Sequence, residues 1–379
     1  MPPAPPWGTL AAVMNASRTP PRGLRERAAL APLTTLELGG PARWLVEAED
    51  ATTVVDALRW AGNCGLPVTV LGGGSNVVVA DHGVNGLVLR IVARGVSVET
   101  AADEVLVTAA AGEPWDGLVA RCVGERWAGL ECLSGIPGTA GATPIQNVGA
   151  YGQEVGQTIE RVRALDRASL RVVELAPRDL GLGYRTSALR EHPGRFVVLS
   201  VSFRLRIAGP PTIAYPELES VLLAARRPPS LAAVRERVLE LRRWKSMVLD
   251  PADPNRRSVG SFFVNPVLEP MELRSLQERA EKAGLHGEVP SFPADGGRRK
   301  VPAAWLIERA GFGKGHVAGR VGISTRHSLA LVNRGGATAG ELVALARRIR
   351  ARVGELFGVR LRPEPVFLGF PPGDPLDGP

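Results

Sequence analysis

The chain has 379 residues, 45% of them hydrophobic and 22% charged, which is enough material for two or three packed domains with cores of their own. Its longest apolar runs stop well short of the roughly 18 residues that a membrane span requires, so no membrane partner is expected. The formal charge of +8 invites a nucleic-acid reading, but of the 46 basic residues only Lys245, Lys282, Lys300 and Lys314 are lysines. The arginines are scattered among Ala, Gly and Pro, in the manner of genomic codon bias, without the aromatic-interleaved basic stripe that single strands need. No nucleic-acid partner is expected, although a basic surface suits small phosphorylated ligands.

The first 30 residues, opening MPPAPPWGTL, lack the charged start and apolar core of a secretory leader and read as a flexible extension. From Ala31 short strands and helices alternate. ARWLVEA reads as a strand, DATTVVDALRWAG as a helix by its apolar spacing, and LPVTVLGGG as a strand running into glycines. GLVLRI and EVLVTAAAG are further strands, and WDGLVARCVGERW is a helix. RVRALDRASLRVVEL and RFVVLSVSFRLRI extend the strand-rich region to about residue 207.

The texture then changes to helices. PSLAAVRERVLELRRW places Ala233, Val234, Val238 and Leu241 on one face, and MELRSLQERAEKAG follows the same period. PAAWLIERAG begins near Pro302 and stops at Gly311, and GELVALARRIRARVGELFG is a long amphipathic helix whose arginines are expected to form a solvated face. VRLRPEPVFLG reads as a closing strand, and residues 371–379 as a flexible tail. A boundary is expected near residues 208 to 215, and the fold class is α+β.

Cys64, Cys122 and Cys132 are odd in number and unpaired in spacing, which argues against a disulfide framework or a zinc site and points to a cytoplasmic location. Cys132, in GLECLSG, is more simply a small apolar filler than a nucleophile. The histidines are dispersed, and no metal site is expected.

Two glycine-rich stretches carry the chemistry. LGGGSN, residues 71 to 76, lets the backbone approach a ligand and aims successive amides at a pyrophosphate; it also reads as a tight turn requiring positive φ. GLECLSGIPGTAGATPIQNVGAYG, residues 129 to 152, is nearly uncharged and costly to order. Ile136, Ile145 and Val148 are poor linker residues, so ligand wrapping is the better reading. Neither GxxxxGK[ST] nor a strand-following GxGxxG occurs, so any nucleotide site is not of Rossmann type.

LGGGSN, IPGTAGATPIQNVGAYG, GYRTS (183 to 187), GSFFVNP (260 to 266) and RPEPVFLG (362 to 369) stand in the order and spacing of the UDP-N-acetylenolpyruvoylglucosamine reductases of peptidoglycan synthesis, which the chain resembles from about residue 31 to 370. The resemblance implies a two-part FAD-binding region of the vanillyl-alcohol-oxidase type, with residues 31–96 as its first subdomain, a strand from 359–370 returning near it, and 97–214 as its second. An α+β substrate-binding domain, 215–358, follows. It implies noncovalent FAD contacted by Gly72, Gly73, Gly74, Ser75, Asn76, Ile136, Pro137, Gly138, Gly141, Ala142, Thr143 and Gly149. NADPH is the implied hydride donor and UDP-N-acetylglucosamine enolpyruvate the acceptor, on a chain expected to be a monomer.

By the same resemblance Ser261 donates a proton to the substrate carbon beside the carboxylate. A hydroxyl is a weak acid in water, but Gly260 allows close approach, and Phe262 and Phe263 suit a role in excluding water. An isolated SFF is equally the edge of a core strand. Arg185 matches the arginine that holds the substrate carboxylate, and Glu364 the catalytic glutamate, which would repel that anion unless protonated or hydrogen-bonded. Either residue alone reads as a surface ion pair. Tyr215, Lys245 and Asn265 match substrate contacts, Tyr215 most loosely because Pro216 replaces an expected glycine. Thr325 and Ser328 stand where relatives often carry a histidine or glutamine pair, and His327, shifted in register, is assigned no role.

Overall fold

The computed structural model describes residues 19–222 and 229–377. The chain forms two compact units: the first holds residues up to Ala29, Pro41–Gly74 and Val84–Leu249, and the second Leu30–Gly40, Ser75–Gly83 and Asp250–Pro379.

In the first unit, β1 (Arg25–Ala29) pairs antiparallel with β2 (Pro41–Ala48), which leads through α1 (Ala51–Asn63) to β3 (Val68–Leu71). Asp50 starts α1 by accepting the Thr53 amide at 2.7 Å, which satisfies one of the donors left open at a helix start. Beyond β4 (Val77–Val79), a strand of the second unit, β5 (Val84–Ile91) runs parallel to β2 and β3 and completes the order β1-β2-β5-β3. Most positions of β2 and β5 are buried, as parallel strands covered on both faces require.

An antiparallel sheet follows, built from β6 (Val96–Ala101), β7 (Glu104–Ala110), β8 (Ile159–Asp166), β9 (Arg171–Leu175) and β10 (Phe196–Ile207) in the order β9-β8-β10-β7-β6, with the short strand Trp127–Ala128 also on β10. Between β7 and that short strand lies α2 (Trp115–Gly124). One core joins the two sheets. Trp44 meets Trp60 edge-on at 5.8 Å and Trp115 meets Phe203 at 5.7 Å, while Ile136, Ile145 and Val148 pack against its margin.

Two helices after the strands, α3 (Pro216–Leu222) and α4 (Leu231–Trp244), also belong to this unit. The units therefore divide after Leu249, later than the 208–215 boundary read from the sequence. The cause is the apolar face of α4, where Val234, Val238 and Leu241 are buried with Cys132 and Leu218. Arg235 reinforces the packing through a two-pronged contact with Asp116 at 2.6 and 2.9 Å.

The second unit contains α5 (Pro270–Lys282), α6 (Ala303–Arg309), β11 (Val321–Ile323), β12 (Leu331–Asn333), α7 (Ala339–Phe357) and β13 (Val366–Leu368). Its core surrounds α7. Thr338 and Glu341 cap α7 reciprocally, the Ala339 and Gly340 amides donate to Asp81, and Gly358, at φ +69°, ends the helix. β13 pairs parallel with β4. Only Val366–Leu368 of the expected closing strand is laddered, because Pro363 and Pro365 have no amide to donate.

Both expected loose ends need correction where they are described. Residues 1–18 of the extension and 378–379 of the tail lie outside the described residues. Arg25–Ala29, however, is a paired strand, and the segment Asp374–Asp377 is fastened to α7. Arg350 is buried, so it does not belong to a solvated arginine face; its guanidinium reaches Asp374 at 2.5 Å and Asp377 at 2.8 Å, while Arg347 donates to the Pro375 carbonyl. A buried guanidinium without such partners would be left unsatisfied.

Two predictions follow from this packing. Replacing Asp374 and Asp377 together by Ala lowers the unfolding free energy by about 1–3 kcal/mol in urea titrations, and adding Arg350→Met recovers part of the loss; a change below about 0.5 kcal/mol would refute the anchoring role. Burial pushes the Cys122 and Cys132 thiols up to about 12, and the Cys132 sulfur donates to the Thr212 carbonyl. Iodoacetamide at pH 8 should therefore label Cys64, which is partly exposed, and reach the other two only after denaturation, as read by peptide mass spectrometry.

Candidate functional site

Each unit carries candidate site residues of its own. In the first, Gly72 and Gly73 follow β3 directly and lie against residues 138 and 139. A Cβ on Gly73 would stand 2.7 Å from the Gly138 Cα, and one on Gly72 would stand 3.0 Å from the Thr139 hydroxyl oxygen. Two backbones are in contact here, which only glycine permits. Gly141 is similar, since a Cβ there would lie 2.4 Å from that of Ala111.

Not every amide in this cradle faces outward. Gly141 donates to Ala111, and Ala142 and Thr143 donate to Thr139 and Ala140 within one tight turn, where the Thr143 hydroxyl also bonds the Ala140 carbonyl. Gly72–Gly74 and Ile136–Thr139 make an uncharged surface that could take a pyrophosphate against the backbone, and the Gly141–Thr143 turn supports it from behind. The hexapeptide LGGGSN is itself split, because Ser75 and Asn76 belong to the second unit.

Arg185 occupies a turn closed by bonds between Gly183 and Thr186, and its φ is +55°. That left-handed backbone is uncommon for a residue that carries a side chain. It aims the guanidinium at the Gly149 carbonyl, to which it donates at 2.7 Å. The strand pair Gly149–Ala150 with Gln153–Glu154 holds that carbonyl in place, so Arg185 and Gly149 are brought together.

Tyr215 and Lys245 also meet. Tyr215 stacks edge-on against Tyr151 at 5.3 Å, the Lys245 ammonium lies 5.9 Å from the Tyr151 ring, and it pairs with Glu217 at 3.1 Å. Tyr151, which the sequence reading did not select, is the centre of this group; burial pushes its hydroxyl up to about 12 and raises that of Tyr215 as well. Its signal was its place at the end of the glycine-rich segment.

In the second unit, the backbone of Phe262 is bonded on both sides: its amide donates to the Leu329 carbonyl and its carbonyl accepts from the Glu364 amide, each at 2.8 Å. Phe262 and Phe263 are buried and packed edge to face at 5.2 Å. Ser261, half-buried after Gly260 at φ +74°, is thereby fixed between two neighbouring segments. One carries Glu364, whose carbonyl accepts from Asn76 while the Asn76 carbonyl accepts from Val366. The other carries His327, whose Nε2 is 3.5 Å from the Ser261 Oγ.

Ser261, Glu364 and Asn76 are thus adjacent, and His327, given no role in the sequence reading, joins them. Asn265 is committed in part, since its Oδ1 accepts the Ala303 amide at the start of α6 at 2.9 Å. Thr325 is bonded to Asn255, and Ser328 to Glu308. Among the described residues no group of three or more His, Cys, Asp or Glu is arranged to hold a metal ion, and no helix is long and apolar enough to cross a membrane.

Comparison with known proteins accounts for both halves. A model for an FAD binding domain matches residues 42–175, and one for the UDP-N-acetylenolpyruvoylglucosamine reductase C-terminal domain matches residues 251–368. These matches bear out the expected α+β class, with an FAD-binding region of the vanillyl-alcohol-oxidase type followed by a second α+β domain. The UDP-N-acetylenolpyruvoylglucosamine reductase of Saccharopolyspora erythraea is 51% identical over 348 residues, covering 90% of this chain and 94% of its own. That of Mycobacterium tuberculosis is 46% identical, covering 91% and 95%. The crystal structure of the Thermus caldophilus reductase aligns over 91% of this chain and 99% of its own with a TM-score of 0.61 and 26% identity. Identity at this level across nearly the full length of the relatives places the chain in the UDP-N-acetylenolpyruvoylglucosamine reductase family.

Proposed function

We propose that this chain catalyses the NADPH-dependent, FAD-mediated reduction of UDP-N-acetylglucosamine enolpyruvate to UDP-N-acetylmuramate in peptidoglycan precursor synthesis, as a cytoplasmic monomer. The observation that supports the reading is the clamp on Phe262, which ties the backbone next to Ser261 to that of Glu364.

FAD, when bound, would supply hydride transfer between NADPH and the methylene carbon of the enolpyruvyl ether. The cradle of Gly72–Gly74 and Ile136–Thr139 would hold the pyrophosphate, with Gly141, Ala142, Thr143 and Gly149 shaping it, and Ser75 and Asn76 are further candidate FAD contacts. Ser261 donates its proton to the carbon next to the substrate carboxylate, where negative charge develops, a task for which a positioned donor is worth about 10² to 10⁴ in rate. The Arg185 guanidinium neutralises the carboxylate, and its left-handed turn keeps it preorganised for that contact. Glu364 shares a proton or hydrogen bond with the substrate beside Ser261. Tyr215 and Lys245 contact the substrate, Glu217 yielding Lys245 to the incoming phosphates, and Asn265 donates to the substrate near the serine.

Purified protein should show a flavin absorbance that bleaches with NADPH under anaerobic conditions and recovers on addition of the enolpyruvyl nucleotide. Rapid recovery with oxygen alone, and none with the nucleotide, would instead mark an oxidase. Ser261→Ala is expected to slow recovery by the nucleotide about 10²- to 10⁴-fold while bleaching by NADPH is unchanged. Recovery at the wild-type rate would remove Ser261 from the proton-donor role. Gly73→Ala, whose new Cβ meets backbone at 2.7 Å, should weaken FAD binding at least tenfold in fluorescence titration, with the circular dichroism spectrum retained; an unchanged affinity would place the cofactor elsewhere.

A further inference from the structure

The proposed chemistry leaves His327 of the second unit unused, and its surroundings are built rather than incidental. Ser324, fully buried, accepts the Arg326 and His327 amides on its hydroxyl at 3.1 and 3.3 Å, and its own amide donates to Ala330 at 2.8 Å. Thr325 is tied to Asn255 through both its amide and its hydroxyl, and Ser328 is bonded to Glu308. The Ala330 amide closes the turn on the His327 carbonyl at 3.1 Å. Leu329, inside this loop, receives the Phe262 amide, so the loop and the Ser261 segment are locked in register. The 3.5 Å between the Ser261 Oγ and the His327 Nε2 is therefore a separation between two fixed backbones. It is long for a hydrogen bond, in the range from which catalytic pairs tighten when substrate binds.

We propose that His327 is a positioning residue that orients the Ser261 hydroxyl and restores its proton during substrate reduction. This rests on Ser261 being the proton donor. As the Ser261 O–H bond breaks and a C–H bond forms at the substrate carbon, the electron pair left on Oγ takes the Nε2 proton of a protonated His327. The imidazole is left neutral and regains its proton from solvent. Only the imidazolium can do this, since a neutral imidazole would be left as an anion. Donation from Nε2 to Oγ also turns the hydroxyl proton away from the ring and toward the substrate. The titratable and charged groups on the elements around the pair are Arg326 in the same loop, Glu308 on α6, Asp253 beside Asn255, Lys314 and His316 in the turn whose Gly315 amide bonds the Ser324 carbonyl, and Arg362 and Glu364 beyond Phe262.

The test is rapid mixing of NADPH-reduced holoenzyme with the enolpyruvyl nucleotide across pH 5.5 to 9, alongside Ser261→Ala, His327→Gln and His327→Ala. An unperturbed imidazole titrates near pH 6.5. In the wild type, reoxidation should slow as pH rises through the His327 titration. His327→Gln keeps a donor at the same place but has no proton to surrender, so it should lose that pH limb and react about 10- to 100-fold slower at pH 6, with nucleotide affinity within about threefold of wild type. His327→Ala should be slower still, and reduction by NADPH should be unaltered in both. Independently of turnover, the side-chain ¹⁵N signal of His327 should titrate at lower pH in Ser261→Ala than in the wild type, because the acceptor for its charged form is gone.

If His327→Gln keeps the wild-type limb, or loses nucleotide affinity at an unchanged reoxidation rate, the inference is overturned. If Ser261→Ala itself reoxidises normally, the proton-donor reading fails first. A slow Ser261→Ala with a normal His327→Gln isolates the failure to His327.

Discussion

The second unit depends on one short piece of backbone. Phe262 gives its amide to Leu329 and its carbonyl to Glu364, so three segments that are far apart in sequence are fixed against each other by two bonds of ordinary length. Each bond alone is worth about 1 kcal/mol net, but both lie beside buried aromatic rings where an unmade bond costs more. The consequence is geometric as much as energetic. Phe262 and Phe263 are both sunk in the core, whereas Ser261 before them is only half-buried. The two phenylalanines after the serine anchor the backbone that presents the hydroxyl.

The first unit solves a different problem, bringing two glycine-rich stretches of backbone into direct contact. Its device is the omission of Cβ atoms: Gly72, Gly73 and Gly141 sit where a methyl group would strike Thr139, Gly138 and Ala111. Close approach of chains leaves fewer amides turned outward than a count of glycines suggests. Those of Gly141, Ala142 and Thr143 are spent holding the turn. Shape, set by what the side chains lack, does as much as donor count, and α4 supports it from behind with Arg235 on Asp116 and the Asp116 carboxylate accepting the Gly135 amide.

Charge placement follows the same economy. Arg350, Arg235 and Arg185 each have a defined carboxylate or carbonyl partner, while Arg348 and Arg352 lie on the exposed side of α7. The net charge of +8 is therefore not spread uniformly in its effects. Some guanidiniums fasten segments together, Arg185 is held on a backbone carbonyl, and others merely keep the surface solvated.

Sequence by itself determined the larger part of this protein. Apolar spacing placed α1, α2, α4, α5, α6 and α7 and the longer strands close to their observed limits, because amphipathic period and cap residues are local signals. The five motifs in order identified the family and the candidate residues Ser261, Arg185 and Glu364. Tertiary structure decided what depends on contacts distant in sequence: that α4 is buried on the first unit, that Arg350 is interior because Asp374 and Asp377 come to meet it, and that Asn76 lies beside Glu364. It alone placed His327 next to Ser261, 66 residues away along the chain, since no local pattern encodes which loop a backbone amide such as that of Phe262 will bond.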